Sequence, residues 1–369
     1  MKSNYTKGAF FGFFLLLTSI NIYAQDDELY KLLIQKNIIS SSEADSVLAH
    51  SPTKLKKKED KQLPIKLNAY IQGRYQYREE KTSINGFDLR RARLDLRGTI
   101  DKQWAYRLHA ELANLPKLLD ASASYKLNDA LSVTAGQFKI PFSLENLTSS
   151  TKLVTIDRSQ AVEALTARSR DVIGNSNGRD IGVQLGGSII QHNGAYFLDY
   201  AAGIFNGAGT NVSDNNDQKD IAARLTIHPA KGLDIAGNIY RGTGRWALSA
   251  ADAAENHSRN RYGFDASYVS GPVFLAAEYL KGLDASTDKE GWYALAAYQL
   301  IPEKVQLLAK YDTYDPNLGV LENSSDWYTV GANIFFSRWA KLQFSYTLKN
   351  ETGTEIHNDL FSAQFQLQF

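Results

Sequence analysis

The sequence predicts an all-β protein, a 16-stranded antiparallel barrel, and three observations lead to this fold. The 369 residues include 20 Tyr, 17 Phe and 26 Gly but a single Met and no Cys, and aromatic residues favour strands. Apolar and polar residues alternate from Pro64 to Phe369, as they do when successive side chains point to opposite faces of a sheet. The segments are joined by short and long connections in turn, which is typical of a barrel that crosses a membrane.

The composition also excludes several classes of protein. Without cysteine, the chain has no disulfides, thiolate metal sites or cysteine nucleophile. The only long apolar run is at the N-terminus, which excludes a bundle of membrane helices that would each need about 20 apolar residues. The formal charge of +1 becomes −1 when Lys2 and Lys7 are removed. This near-neutral net charge argues against a nucleic-acid partner. We also expect no cofactor and no metal.

Residues 1–24 have the pattern of a cleaved export signal. Lys2 and Lys7 form its positive region, residues 9–20 form an apolar run, and Ala24 precedes the expected cleavage point. A membrane anchor or a buried helix is the alternative interpretation, but the run is short for crossing a bilayer. The mature protein is therefore expected outside the cytoplasm.

Residues 25–62 are predicted to form a small helical periplasmic segment followed by a linker. Leu29, Leu32, Leu33 and Ile38 have helical spacing. The lysine-rich residues 51–61 show no periodicity, and we interpret them as a solvated spacer.

The barrel itself is predicted to occupy residues 63–369. In its first strand Leu67, Ala69 and Ile71 share one face, whereas Asn68 and Gln72 share the other. The sixteen strands are predicted to start near residues 64, 86, 102, 120, 131, 179, 195, 218, 232, 260, 272, 290, 303, 326, 339 and 357.

A secreted β-sandwich or β-helix would alternate as well, but two observations favour a transmembrane barrel. Trp104, Trp292, Trp327 and Trp339 fall near predicted strand ends, where aromatic girdles meet the membrane surface. The last strand alternates as far as the aromatic residue Phe369. Closure also removes strand edges, whose unpaired backbone groups lipid would not tolerate.

Residues 141–178 form the longest interval between predicted strands. An irregular segment of this length in a compact domain is usually functional or disordered, and here it is predicted to fold inward and narrow the channel. It contains four basic and four acidic residues, so its own charge does not identify an anion filter: Lys152, Arg158, Arg168 and Arg170 against Glu145, Asp157, Glu163 and Asp171.

Three sequence segments resemble the phosphate-selective porin O and P family. The first runs from Phe87 to Leu94 with Gly98 after it, the second from Gly136 to Glu145, and the third from Phe205 through Arg224 to Pro229. The resemblance implies a trimeric 16-stranded porin that passes anions, in some members phosphate or pyrophosphate. Phe369 resembles the end of outer-membrane barrels generally, where the aromatic residue is the assembly signal.

This interpretation places the protein in the outer membrane of a Gram-negative bacterium. Its expected partners are outer-membrane lipid, small anions such as phosphate, two further copies in a homotrimer, and the barrel-assembly machinery. An outer-membrane enzyme or a surface adhesion barrel is the alternative, although neither a catalytic constellation nor very long outer loops are visible in the sequence.

Anion selectivity is expected to arise from arginines and lysines that face the lumen. Residues 64–113 contain ten basic and six acidic residues, and rings of Arg or Lys select anions in pores. The alternative is that the arginines pair with Asp95 and Glu111 and only brace the wall. The candidate anion-binding residues are Arg91, Arg93, Arg97, Arg107, Lys139, Arg168 and Arg170.

Overall fold

The computed structural model describes residues 33–36, 40, 42, 65–79, 84–192 and 194–369. The chain divides into two units, Met1–Gln62 and Leu63–Phe369. In the first unit residues 33–35 and 42 are helical. The predicted export signal of residues 1–24 lies outside the described residues, as does most of the predicted segment of residues 25–62.

The second unit is a closed antiparallel barrel of sixteen strands, which confirms the predicted fold. Each strand pairs with its neighbours in sequence, and β1 pairs with β16 to close the sheet. The strands are β1 (Ile65–Arg78), β2 (Ile84–Thr99), β3 (Trp104–Glu111), β4 (Lys117–Asn128), β5 (Leu131–Lys139), β6 (Arg179–His192), β7 (Ala195–Phe205), β8 (Asp220–Ala230), β9 (Leu233–Trp246), β10 (Glu255–Ser270), β11 (Val273–Asp284), β12 (Thr287–Ile301), β13 (Val305–Asp315), β14 (Ser325–Phe335), β15 (Ala340–Glu351) and β16 (Leu360–Gln368).

Alternation along the strands separates a lipid-facing wall from a polar lumen. On β1, Leu67 and Ile71 are exposed on the outer face, whereas Gln72 is fully buried inside. On β15, Leu348 is exposed outside while Gln343 and Lys349 are buried inside. A lipid-facing charge near the bilayer midplane would cost about 2–4 kcal/mol, so at that depth the charged side chains of the strands lie in the lumen.

A β-bulge in β2 interrupts this alternation. Gln72 pairs with Arg91 and the next residue of β1, Gly73, pairs with Leu89, so Arg90 is the extra residue. A bulge of this kind shifts side-chain direction locally. As a result Arg90 and Arg91, adjacent in sequence, both line the lumen, and Leu89 before the bulge is exposed outside.

The segment between β5 and β6, which includes residues 141–178, folds into the barrel. It contains two short helices, α1 (Leu144–Leu147) and α2 (Gln160–Leu165), whose first turns are capped by Ser143 and Ser159. No helix among the described residues is long and apolar enough to cross a membrane.

Apolar and polar contacts fix this inward loop to the wall of β9–β13. Val162 and Leu165 of α2 are buried in one cluster with the wall residues Leu280 and Tyr293. The backbone N–H of Gln160 donates to Asp312 at 3.0 Å. Asp171 of the loop pairs with Arg259 of β10 at 2.8 Å, and both side chains are buried. The loop therefore narrows the lumen as a fixed part of the wall.

Deleting Phe369 is expected to reduce the amount of protein in the outer membrane sharply. Its backbone N–H donates to the Ala69 carbonyl at 2.8 Å, and the Ala69 N–H donates back at 2.7 Å, so the deletion removes hydrogen bonds that close the barrel. Membrane fractionation and heat-modifiable gel mobility measure insertion. Phe336→Ala, which removes an exposed aromatic ring from the turn after β14, should insert normally. Normal insertion of the Phe369 deletion would contradict the expectation.

Candidate functional site

The inward loop leaves two charged cavities in the lumen. We call the first the outer cavity, because Arg78, Trp327 and Leu360 place it at the ends of strands that carry long loops, which face the cell exterior in such barrels. Its volume is about 500 Å³. Three acidic residues line it, Asp157, Glu163 and Asp312, against nine basic ones: Arg74, Arg78, Arg90, Arg91, Arg158, Arg168, Arg170, Lys310 and Lys349.

The second or inner cavity lies towards the short turns and has a volume of about 200 Å³. No acidic residue of the described chain lines it, although His109 does, together with seven basic residues: Arg93, Arg97, Arg107, Lys139, Arg158, Arg168 and Arg179. Arg158, Arg168 and Asn177 line both cavities. These three side chains therefore stand between the cavities.

Three of the arginines predicted to bind anions pair with carboxylates of the wall. Arg93 donates from Nε to Glu111 at 2.7 Å, with both side chains buried. Arg107 donates to Asp95 at 2.9 Å, and Arg97 pairs with the same carboxylate. The sequence left open whether these arginines bind anions or brace the wall. Their carboxylate partners favour bracing, and the positive charges of the three are largely balanced by these carboxylates.

Two other predicted residues are held by neutral groups. Arg91 donates from Nη1 to the side-chain oxygen of Gln72 at 2.7 Å. Arg170 lies over the indole ring of Trp327, 5.1 Å from its centroid, and Lys349 lies over the same ring at 4.6 Å. Among the described residues, no carboxylate oxygen lies within 4.0 Å of the cationic nitrogens of these three side chains. Their positive charge therefore remains available to a solute.

Three cations converge on the carbonyl groups at the end of α1. Lys139 donates to the carbonyls of Asn146, Leu147 and Thr148 at 2.7, 3.0 and 3.1 Å. Arg158 donates to the carbonyls of Glu145 and Thr148 at 3.0 and 2.9 Å.

Arg168 completes this group by donating to the side-chain oxygen of Asn146 at 2.7 Å. We call Lys139, Arg158 and Arg168 the carbonyl-held cations. Cations at a helix C-terminus complement its partial negative charge, yet the acceptors are neutral. Within the part of the chain that the structure describes, none of the three has a carboxylate oxygen within 4.0 Å.

The pKa of Arg168 reflects the absence of a carboxylate partner among the described residues. Burial lowers the pKa of this guanidinium well below its usual value, and the neighbouring charge of Arg158 lowers it further. The charge of Glu163 acts in the opposite direction but does not outweigh these two effects, since it forms no salt bridge with Arg168. A bound anion would oppose both effects, so this point of the lumen is favourable for negative charge.

One loop carboxylate opposes this field. Asp157 accepts a hydrogen bond from Arg90 at 2.5 Å and lies 3.5 Å from Arg74. Burial would raise the pKa of Asp157, but the charges of Arg90, Arg74 and Arg91 outweigh it and hold the pKa below its ordinary value. Asp157 therefore stays ionised and neutralises part of the arginine cluster in the outer cavity.

The sequence did not single out several residues that the structure places in the cavities. Arg90 was missed because alternation alone puts it opposite Arg91, and the bulge reverses its direction. Arg158 was one of eight balanced charges of the loop, and its position between the cavities depends on tertiary contacts. Arg74 and Lys349 occupy positions on the polar face of their predicted strands, and this alternation was the feature of the sequence that could have identified them as lumenal.

Comparisons with known proteins agree with this architecture. A family model described as phosphate-selective porin O and P matches residues 65–369. Porin O of Pseudomonas aeruginosa is 25% identical over 305 residues, covering 70% of this chain and 69% of that protein.

Solved structures of porins share the fold. An anion-selective porin from Comamonas acidovorans aligns with a TM-score of 0.62 at 14% identity, over 83% of this chain and 99% of the other. OmpF of Salmonella typhi, in a complex with daunomycin, aligns with a TM-score of 0.61 at 13% identity, over 83% and 97%.

Replacing Arg93 with Gln is expected to destabilise the barrel by about 3–5 kcal/mol, because Glu111 would be left as a buried charge without its partner. Arg93→Gln/Glu111→Gln should recover part of that loss. The urea concentration at which the purified protein loses its folded gel mobility measures both effects. A single variant as stable as the parent would show that the pair does not brace the wall.

Proposed function

The chain belongs to the phosphate-selective porin O and P family, and from this premise we propose that its channel prefers anions, with phosphate-like oxyanions as its solutes. The protein is a porin of the Gram-negative outer membrane. The two lumenal cavities are its conducting path, and the carbonyl-held cations form the narrow zone between them.

The observation that carries this proposal is the presence of uncompensated positive charge at that zone. Lys139, Arg158 and Arg168 all donate to neutral oxygens, so their charge is immobilised without being cancelled. Low-dielectric walls strengthen the field of such charges. Arg91 and Arg170 add charge on the outer side, so an anion meets favourable potential along the path.

Arginine also suits the proposed class of solute. Its planar guanidinium presents a fork of N–H donors that matches the oxygens of phosphate. The narrow zone contains two such groups, Arg158 and Arg168, and the outer cavity contains Arg91 beside them. A spherical halide would use this geometry less fully than a tetrahedral oxyanion, which supports phosphate as one of the solutes.

Further assignments complete the proposal. The relatives carry the names of porins, and we assign this chain passive conduction with no catalytic role. We propose that it works as a homotrimer in outer-membrane lipid and is inserted by the barrel-assembly machinery. Residues 1–24 are assigned to export and residues 25–62 to a periplasmic segment, as the sequence predicts.

Replacing both Arg91 and Arg168 with Gln is expected to shift the zero-current potential towards cation preference. The shift should be larger at 0.1 M than at 1 M salt, because the Debye length shrinks from about 10 Å to about 3 Å. Planar-bilayer recordings across a KCl gradient measure it. Adding phosphate should reduce the chloride current of the parent channel more than that of this variant.

The neutral double variant Arg93→Gln/Glu111→Gln is the matched control, because it removes one positive and one negative charge. Its zero-current potential should equal that of the parent channel. If the Arg91 and Arg168 substitutions leave the ion preference unchanged at both salt concentrations, the carbonyl-held cations and Arg91 do not set selectivity.

Replacing Asp157 with Asn is expected to act in the opposite direction. The substitution releases Arg74 and Arg90 from their shared counter-charge, so anion preference should rise. Recordings under the same KCl gradient would show a zero-current potential closer to that of an ideal anion channel. A shift towards cations would mean that the arginines depend on Asp157 for their position in the lumen.

A further inference from the structure

The outer surface of β9–β12 carries two positive charges at the outer edge of its apolar belt. Arg241 of β9 is exposed, and Lys281 of β11 is partly exposed. In the strand register Arg241 lies opposite Asn260 and Lys281 lies opposite Tyr262, two neighbouring outward positions of β10. The two cations therefore flank one strand.

These side chains line a shallow concavity of about 190 Å³ on the outside of the barrel, which we call the rim site. Asn260, Tyr262 and one acid, Asp288, complete its outward-facing edge. Among the described residues, no carboxylate oxygen lies within 4.0 Å of the cationic nitrogens of Arg241 or Lys281. Glu290 lies opposite Lys281 in the register, but it accepts a hydrogen bond from the Tyr279 hydroxyl at 2.9 Å. The two cations of the rim site therefore form no salt bridge with any described residue, and their donors are free to bind a ligand.

The rim site lies directly above the lipid-facing belt. Moving towards the periplasm by one outward position on each strand leads from Arg241 to Ile239, from Tyr262 to Phe264 and from Lys281 to Tyr279. Ile239 and Phe264 are 50% and 62% exposed, as expected of side chains that contact acyl chains. The cations are therefore at the level of lipid headgroups in the outer leaflet.

A second feature lies below the rim site on β10–β14. Small residues form a hollow of about 670 Å³ in the outer wall, which we call the alanine hollow. Tyr268, Leu275 and Tyr328 stand around it, and the outward-facing residues of its floor are Ala266, Ala277, Ala294, Ala296 and Ala309. Its surface is almost entirely apolar.

The spacing of the two features matches a lipid molecule. Ala277 is four residues from Lys281 on β11, which corresponds to roughly 13 Å at the rise of a strand. Half of the hydrocarbon core is about 15 Å thick. An acyl chain that descends from a phosphate at the rim site would therefore reach the alanine hollow.

We propose that the rim site and the alanine hollow together bind one phosphorylated lipid of the outer leaflet. The phosphate accepts hydrogen bonds from Arg241 and Lys281, while an acyl chain occupies the hollow between the tyrosines. Both parts lie on the outer wall, so this binding is separate from conduction through the lumen. A free phosphate ion would use the rim site alone and gain nothing from the hollow, which is why we assign the site to a lipid.

Native mass spectrometry of the purified protein in a neutral detergent tests the proposal, with diphosphorylated lipid A and its dephosphorylated form as probes. The parent protein should retain one phosphorylated lipid in preference to the dephosphorylated form. Arg241→Gln/Lys281→Gln should weaken that binding roughly 30-fold, since each basic residue near anionic lipid contributes about a factor of five. Lys231→Gln/Lys304→Gln removes two exposed cations at short turns and should have no effect.

Ala294→Trp fills the hollow and tests the apolar half of the site. It should weaken binding of both lipid forms while leaving channel conductance unchanged. Folding of each variant is checked by heat-modifiable gel mobility.

Three results would overturn the proposal. The first is equal binding by the parent and Arg241→Gln/Lys281→Gln, and the second is equal retention of both lipid forms by the parent. The third is an oligomer of the chain that Ala294→Trp abolishes, which would assign the hollow to a contact with another copy of the chain.

Discussion

The selectivity proposed for this channel depends on cations that are held by neutral oxygens. A buried cation must be hydrogen-bonded, and a carboxylate partner would satisfy it while cancelling its charge. Lys139, Arg158 and Arg168 instead donate to the carbonyl end of α1. The backbone thus fixes three side chains in place and leaves their field to act on a solute. Without the inward loop these acceptors would be absent, so the loop creates the proposed filter even though its own formal charge is balanced.

Other buried cations of the barrel are paired with carboxylates, in contrast to the carbonyl-held cations. Three other buried arginines have a carboxylate partner: Arg93 pairs with Glu111, Arg259 with Asp171, and Arg261 with Asp284. Buried pairs of this kind contribute little net stability, but losing one partner is costly. The Arg259–Asp171 pair therefore helps to specify where the loop sits, whereas the other two pairs join neighbouring strands of the wall. Arginine thus has two proposed roles in this lumen. Arginines that donate to neutral oxygens are assigned to anion attraction, and those paired with carboxylates are assigned to bracing the structure.

Much of the barrel could be predicted from the sequence, because strand alternation is a local property. The largest error in a predicted strand start is at β10, placed near residue 260 and observed from Glu255; residues 255–258 are polar on both faces and extend the strand beyond the apolar belt. The family resemblance drawn from three segments is confirmed by the family match. The direction of Arg90 was not predictable, since it depends on which residue of β1 faces the bulge.

The roles of the individual arginines required tertiary structure for a further physical reason. The alternation of residues along a strand predicts which side chains face the lumen, but it does not identify the hydrogen-bond acceptor of each side chain. Arg91 and Arg93 share one face of β2, yet the first meets Gln72 of the preceding strand and the second meets Glu111 of the following strand. The partner is an amide for Arg91 and a carboxylate for Arg93, and this difference is why we assign solute attraction to the first and bracing of the wall to the second. Selectivity in a channel of this type is therefore encoded in the pairing of residues across strands, and a count of basic residues along the chain cannot reveal it.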